Sequence, residues 1–365
     1  MTTLWDTTGS AVVKELAAQR RTGGAVLSGV ALTLVVVADE SRVTEAEEAA
    51  THAAEMHPCR VLVVVRRQID APVPRLDAEV SIGGRLGPGE AVAMRMYGRL
   101  ALHAESVVLP LLAADAPVVT WWHTAPPEKL ATDALAVIAD RRITDASMAD
   151  DPMKALRTRA KDYAPGDTDL AWTRSTAWRF SLTSTLDSVA GRRGEPVRVT
   201  AARVEGDPRN ATAQLVAGWI SSRCSCAVEV VQGARTPGSS GVDSVVLTLD
   251  GDEEVRLHAD RRGGAVVEQP NRPEASVALP ERAMGDLLGE ELRRLDRDEP
   301  YSEALEVATG VSGLAGRSQV REHVWFDPAE ANGNGRDGGK DGGKGKSGDT
   351  AARPRKAPAK KATDA

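Results

Sequence analysis

Residues 167–179 read Asp-Thr-Asp-Leu-Ala-Trp-Thr-Arg-Ser-Thr-Ala-Trp-Arg, placing two tryptophans, two arginines and two carboxylates in thirteen positions. Trp and Arg combine large contact area with directed donors, which is why they dominate binding hot spots. Gly166 breaks whatever precedes the stretch. Asp167 or Thr168 is placed to cap a helix, and Asp169 to sit in its first turn, where a carboxylate suits the helix dipole. Leu170, Arg174, Trp178 and Leu182 then recur at spacing four on one stripe, with Trp172 and Arg179 on a neighbouring one. An arginine between Leu170 and Trp178 requires a carboxylate, a phosphate or an aromatic face. Two compatible arrangements supply one. The first is an internal Arg–Asp pair, with arginine stacked on tryptophan, that joins two domains. The second is a partner- or anion-binding site made of Asp169, Trp172, Arg174, Trp178 and Arg179.

Two other clusters carry similar side chains. Residues 118–127, Val-Val-Thr-Trp-Trp-His-Thr-Ala-Pro-Pro, put Trp121 and Trp122 at the end of an apolar strand, where ligands of α/β sheets collect. Residues 140–145, Asp-Arg-Arg-Ile-Thr-Asp, add Arg141 and Arg142 at the next strand. A buried tryptophan and a solvated charge cluster are the plain alternatives. The three clusters follow one another closely enough to converge on one edge of a sheet.

Signatures of catalysis are missing. The glycines at 83, 84, 87 and 89 have the wrong spacing for a dinucleotide fingerprint and read as a hairpin loop. Neither a phosphate-binding loop ending in Gly-Lys-Ser/Thr nor a Gly-x-Ser-x-Gly elbow occurs. His52 and His57 lie five apart without a ligand pattern, and Cys224 and Cys226 lack the two-residue gap of a redox or zinc motif. The expectation is no metal, no cofactor and no enzyme.

The elements that must hold these clusters follow from periodicity. Residues 25–37 and 59–66 are Val/Leu runs expected as buried strands around a helix from Thr44 to about Met56, an α/β opening. Residues 76–82 and 90–100 alternate and suggest an antiparallel addition. Helices are expected at 103–113, 128–138 and 152–163, with a short buried strand at 117–121 and a strand end or loop at 141–145 between them. After the 167–179 hub come a helix to about Ala190, a strand at 196–203, a helix at 210–224 and strands at 227–232, 242–249, 254–261, 265–269 and 275–279. A helix at 280–297, with Leu287, Leu288, Glu291, Leu292 and Leu295 as its core face, and one at 301–308 close this half. The expected fold is an α/β N-terminal domain (1–165), a mixed, mostly buried sheet with flanking helices. An α+β C-terminal domain (166–327) and a disordered Gly/Lys/Ala/Pro tail (328–365) follow it.

Composition bounds the function. The 365 residues are 42% hydrophobic, enough for two cored domains, and seven tryptophans outnumber the five Tyr and Phe. Residues 331–365 carry nine Lys/Arg against four Asp/Glu, which leaves −11 on the rest of a chain of net charge −6. An acidic body does not suit nucleic acid. Three cysteines make no disulfide scaffold, no run of roughly 20 apolar residues suits a membrane span, and the start lacks a signal-peptide pattern, so a cytoplasmic protein is expected.

These clusters resemble the OpcA family of glucose-6-phosphate dehydrogenase assembly proteins. The resemblance rests on the His-Pro-x-Arg-Val strand start at 57–61, the Val-Val-x-Trp-Trp end at 118–122, Arg-Arg-Ile-x-Asp at 141–145, and the 167–179 hub, and it spans about residues 4–326. Ser175, Ala177 and His123-Thr124 depart from the pattern. The resemblance implies a non-catalytic partner that promotes assembly or activation of the oligomeric dehydrogenase opening the oxidative pentose phosphate pathway. Trp121, Trp122, Arg141, Arg142, Trp172, Arg174, Trp178 and Arg179 would then be its contact residues. Cysteines confer redox sensitivity in some relatives, which makes Cys59 the candidate here beside its plainer reading as a buried apolar thiol. The competing reading is an enzyme or sensor that binds a sugar phosphate or nucleotide at an anion site between the two domains.

Overall fold

The computed structural model describes residues 1–22, 30–83, 89–234, 241–260 and 262–318, which all belong to one compact unit. The loop expected at 83–89 lies mostly outside these residues, as do the first part of the 25–37 strand and the whole 328–365 tail.

The first sheet has eight strands: β1 (Thr2–Leu4), β2 (Leu32–Ala38), β3 (Cys59–Arg67), β4 (Arg75–Ile82), β5 (Glu90–Tyr97), β6 (Val118–His123), β7 (Arg141–Thr144) and β8 (Asp167–Asp169). Their order is β1-β4-β5-β3-β2-β6-β7-β8. The run from β5 to β8 is parallel throughout. β4 pairs antiparallel with β5, and β1 antiparallel with β4. β2 and most of β3 are buried on both faces, which is why they read as unbroken Val/Leu runs rather than alternating ones. Leu34 and Val36 pack on one face against the Val43–Met56 helix, and Val35 and Val37 pack on the other. The expected antiparallel addition is the β4–β5 pair. β5 joins the parallel block, and β1 adds an edge that three residues are too short to announce by period.

Two expected helices are broken into single turns. Pro110 lacks the amide that a continuous 103–113 helix would use, so Glu105–Val108 ends in a 3-10 turn at Leu109–Leu111. In 128–138, Asp133 accepts hydrogen bonds from the Leu135 and Ala136 amides and starts a new turn, Ala134–Val137, after Leu130–Thr132.

The second sheet comprises β9 (Val199–Gly206), β10 (Ala227–Gln232), β11 (Val242–Leu249), β12 (Glu254–Ala259), β13 (Gly264–Glu268) and β14 (Ala275–Ala278), ordered β10-β9-β11-β12-β13-β14. The Ala211–Cys224 helix carries β9 into its parallel neighbour β10, and the other pairs are antiparallel. The Asp250-Gly251-Asp252 turn closes β11 on β12, with φ of 82° and 59° at its last two residues. Val199, Ala202 and Val204 of β9 face the core, while Thr200, Ala201 and Arg203 face outward. Late in the chain, the Met284–Leu292 helix packs on Val43–Met56, and Leu287, Leu288 and Leu292 enter the core of the first sheet. Two residues make the close approach possible. A Cβ on Gly285 would lie 2.7 Å from the His52 side chain, and one on Gly289 would meet the Met56 methyl group.

Candidate functional site

The three tryptophan and arginine clusters lie on neighbouring strands, β6, β7 and β8, at one edge of the first sheet. The hub itself is not one helix. Asp167–Asp169 is β8, Leu170–Arg174 is a short helix, and Thr176–Arg193 is a long one. Asp169 caps the short helix, in place of Asp167 or Thr168, by accepting from the Ala171 amide. Its other bonds explain why it is recruited: the Thr144 hydroxyl at 2.7 Å and the Ala146 amide at 3.0 Å tie it to the end of β7 and the segment after it. Burial and the nearby Asp145 carboxylate push the Asp169 pKa up to about 6. At Ser175 the helix turns, and the Ser175 hydroxyl donates to the Trp172 carbonyl. The expected stripe is therefore divided: Leu170 faces the first sheet, and Trp178 and Leu182 face the second.

Each arginine has a distinct partner. Arg142 donates to Asp167 and to the carbonyls of Ala139 and Pro165. Gly166, at φ +93°, is required beneath it, because a Cβ there would lie 2.4 Å from the Asp140 carbonyl oxygen and 2.8 Å from the Arg142 guanidinium. Arg141 reaches across to Glu291 (Nε–Oε2 3.0 Å) and the Asp296 carbonyl, and the Thr173 hydroxyl donates to the other Glu291 oxygen at 2.6 Å. Arg174 makes a two-pronged pair with Asp145, at 2.7 and 2.6 Å. Burial works against the Arg174 charge, but Asp145 outweighs it and raises the pKa. Arg179 stacks over Trp172 at 3.6 Å and donates to the Ser175 and Thr176 hydroxyls. Burial lowers its pKa to about 10, with Asp298 and Glu290 only partly compensating. The Trp172 indole donates to Asp298 at 2.8 Å.

These contacts form the internal arrangement, an Arg–Asp pair and an arginine stacked on tryptophan. Trp121, Trp122, Trp172 and Trp178 are each at most 1% exposed and lie in four different cores. Neighbours on a strand point to opposite faces, which separates Trp121 from Trp122. Arg141 and Arg142 are buried as well, so the clusters form a seam inside the molecule. Arg174 and Arg179 remain partly exposed, and next to Arg179 the Phe180 ring is 72% exposed. Cys59 is a buried thiol whose pKa burial pushes up to about 12, which suppresses the thiolate that redox exchange needs. Sequence reading missed Glu291 as the partner of Arg141. Its signal was a carboxylate within the apolar row of Leu287, Leu288 and Leu292.

At the C-terminal ends of the parallel strands lies a cleft of about 590 Å³. Asp39 follows β2, Thr124 follows β6, Thr144 closes β7 with Asp145 just after it, and Asp169 closes β8. The Pro152–Asp162 helix supplies the facing wall through Lys154, Ala155, Thr158 and Arg159. Among the described residues no group of three or more His, Cys, Asp or Glu could hold a metal ion, and no helix is long and apolar enough to cross a membrane.

Two family models match the sequence. Residues 50–161 match the glucose-6-phosphate dehydrogenase subunit N-terminal domain, and residues 165–305 match the C-terminal domain of the same subunit. No curated protein matches the chain. The two matches adjoin between β7 and β8, just before the hub, and together they take in the first sheet from β3 onward and the whole second sheet. The chain belongs to the OpcA glucose-6-phosphate dehydrogenase assembly family.

Proposed function

We propose that this protein is a non-catalytic, cytoplasmic partner of the glucose-6-phosphate dehydrogenase oligomer that promotes its assembly and activates it allosterically at the entry to the oxidative pentose phosphate pathway. The observation that carries this reading is the paired match of both subunit domains across 50–161 and 165–305. The mechanism is linkage. A protein that binds the active oligomer more tightly than other states shifts the population by that difference in affinity and no further. The seam fixes how the hub helix is presented, through Arg141–Glu291, Arg174–Asp145 and Arg179 on Trp172. The partly exposed Arg174 and Arg179, with Phe180, are the hub's route to a partner surface.

The test is a dehydrogenase assay titrated with this protein. The reading expects a saturable rise in rate at fixed substrate. A rate that stays flat up to a large molar excess of folded protein contradicts it.

A further inference from the structure

The cleft at the strand ends has features that the assembly role does not use. It opens where the sheet changes direction: β3 lies on one side of β2, and β6 on the other. Chain connections leaving β2 and β6 therefore diverge, and in open α/β sheets ligands collect at such a point. Its volume of about 590 Å³ falls within the range of small-molecule sites, roughly 300–1,000 Å³.

The groups in it are specific in type. Arg159 is 8% exposed, and its Nη2 donates to the carbonyls of Pro127 and Glu128, both at 2.6 Å. Its Nη1 is buried with no acceptor among the described residues. A buried guanidinium satisfied by carbonyls alone retains its charge and an unused donor. Lys154 lines the same wall. In the same cleft Asp39 accepts from the Thr124 hydroxyl, and Glu128 and Asp150 are exposed. Six carboxylates line the cleft against three cations, so an anionic group is favoured only where the cations stand and hydroxyl-bearing parts of a ligand suit the rest of the lining. Arg159 at the buried end of the cleft wall and Lys154 at its exposed end each offer donors to an anionic group, while exposed carboxylates accept hydroxyl donors. The apolar surfaces of Pro126, Met148 and Ala149 cover carbon.

We propose that this cleft binds a singly substituted anionic sugar, with its phosphate or carboxylate on Arg159 and Lys154 and its hydroxyls on Asp39, Glu128 and Asp150. The site makes the protein responsive to a metabolite, and it does not depend on the partner reading.

The test uses the full chain alone, so that failure here is separable from failure of the dehydrogenase assay. Thermal melting is followed with glucose 6-phosphate, gluconate, glucose and inorganic phosphate. Glucose 6-phosphate or gluconate should raise the melting temperature in a saturable manner, well beyond glucose or phosphate at equal concentration. The larger of the two responses identifies phosphate or carboxylate as the anchor. The Lys154→Met and Asp39→Asn double variant changes two exposed side chains and should fold normally while losing at least tenfold in apparent affinity. Arg159→Lys should weaken binding further. The proposal is overturned if neither anionic sugar shifts melting, if inorganic phosphate alone matches them, or if the double variant responds like the wild type.

Discussion

The Arg141 guanidinium illustrates how this chain uses charge. It is buried, it meets Glu291 across 150 residues of sequence, and the same carboxylate takes the Thr173 hydroxyl. Removing one member of such a pair leaves the other desolvated without a partner. Arg141→Met is therefore expected to lower unfolding free energy by about 3–5 kcal/mol, and Arg141→Met with Glu291→Leu by clearly less, as read by urea denaturation. Asp169 makes a second prediction at this scale. Its carboxyl titrates near 6 in the folded protein, against about 3.9 in an unfolded chain. The folded state thus holds the extra proton between those values. The stability contributed by this group is greatest below about pH 4 and falls as pH rises through about 6. Asp169→Asn should remove that slope from denaturation midpoints measured between pH 4 and 7, on top of a pH-independent cost from lost hydrogen bonds.

At the scale of elements, buried strands were plain in the sequence because Val-rich runs have few alternatives. β10 and β11 fall where period and turn residues put them, and β3 differs by one residue. The hub was legible in its residue types and not in its shape. Spacing four suggested a single stripe, but Asp169 bonds the segment after β7, and Ser175 turns the chain so that one row serves two cores. Those competing bonds come from far away in sequence, so no local pattern announces them. Packing between elements follows the same rule. The Ala211–Cys224 and Glu299–Thr309 helices approach so closely that a Cβ on Gly218 would lie 2.3 Å from the Ala304 carbonyl oxygen. That oxygen is backbone and cannot swing aside. Gly218→Ala should destabilise by about 1–3 kcal/mol despite a better helix propensity, checked by thermal unfolding.

For the whole molecule, the two family domains form a compact body in which the Trp- and Arg-rich segments are internal. Loss of partner activity on truncating Trp172 or Trp178 would then report loss of fold, since either change removes about 3–5 kcal/mol of core packing. A surface change separates the two effects. Phe180→Ala alters a ring that is 72% exposed, so melting should stay within about 0.5 kcal/mol of wild type, while the concentration needed for half-maximal dehydrogenase activation rises at least about tenfold. The most direct measurement is sedimentation velocity of glucose-6-phosphate dehydrogenase with and without this protein at micromolar concentrations. The account predicts a faster-sedimenting species that contains both chains and grows with added protein. Two independent boundaries, unchanged in position at every ratio, would contradict it.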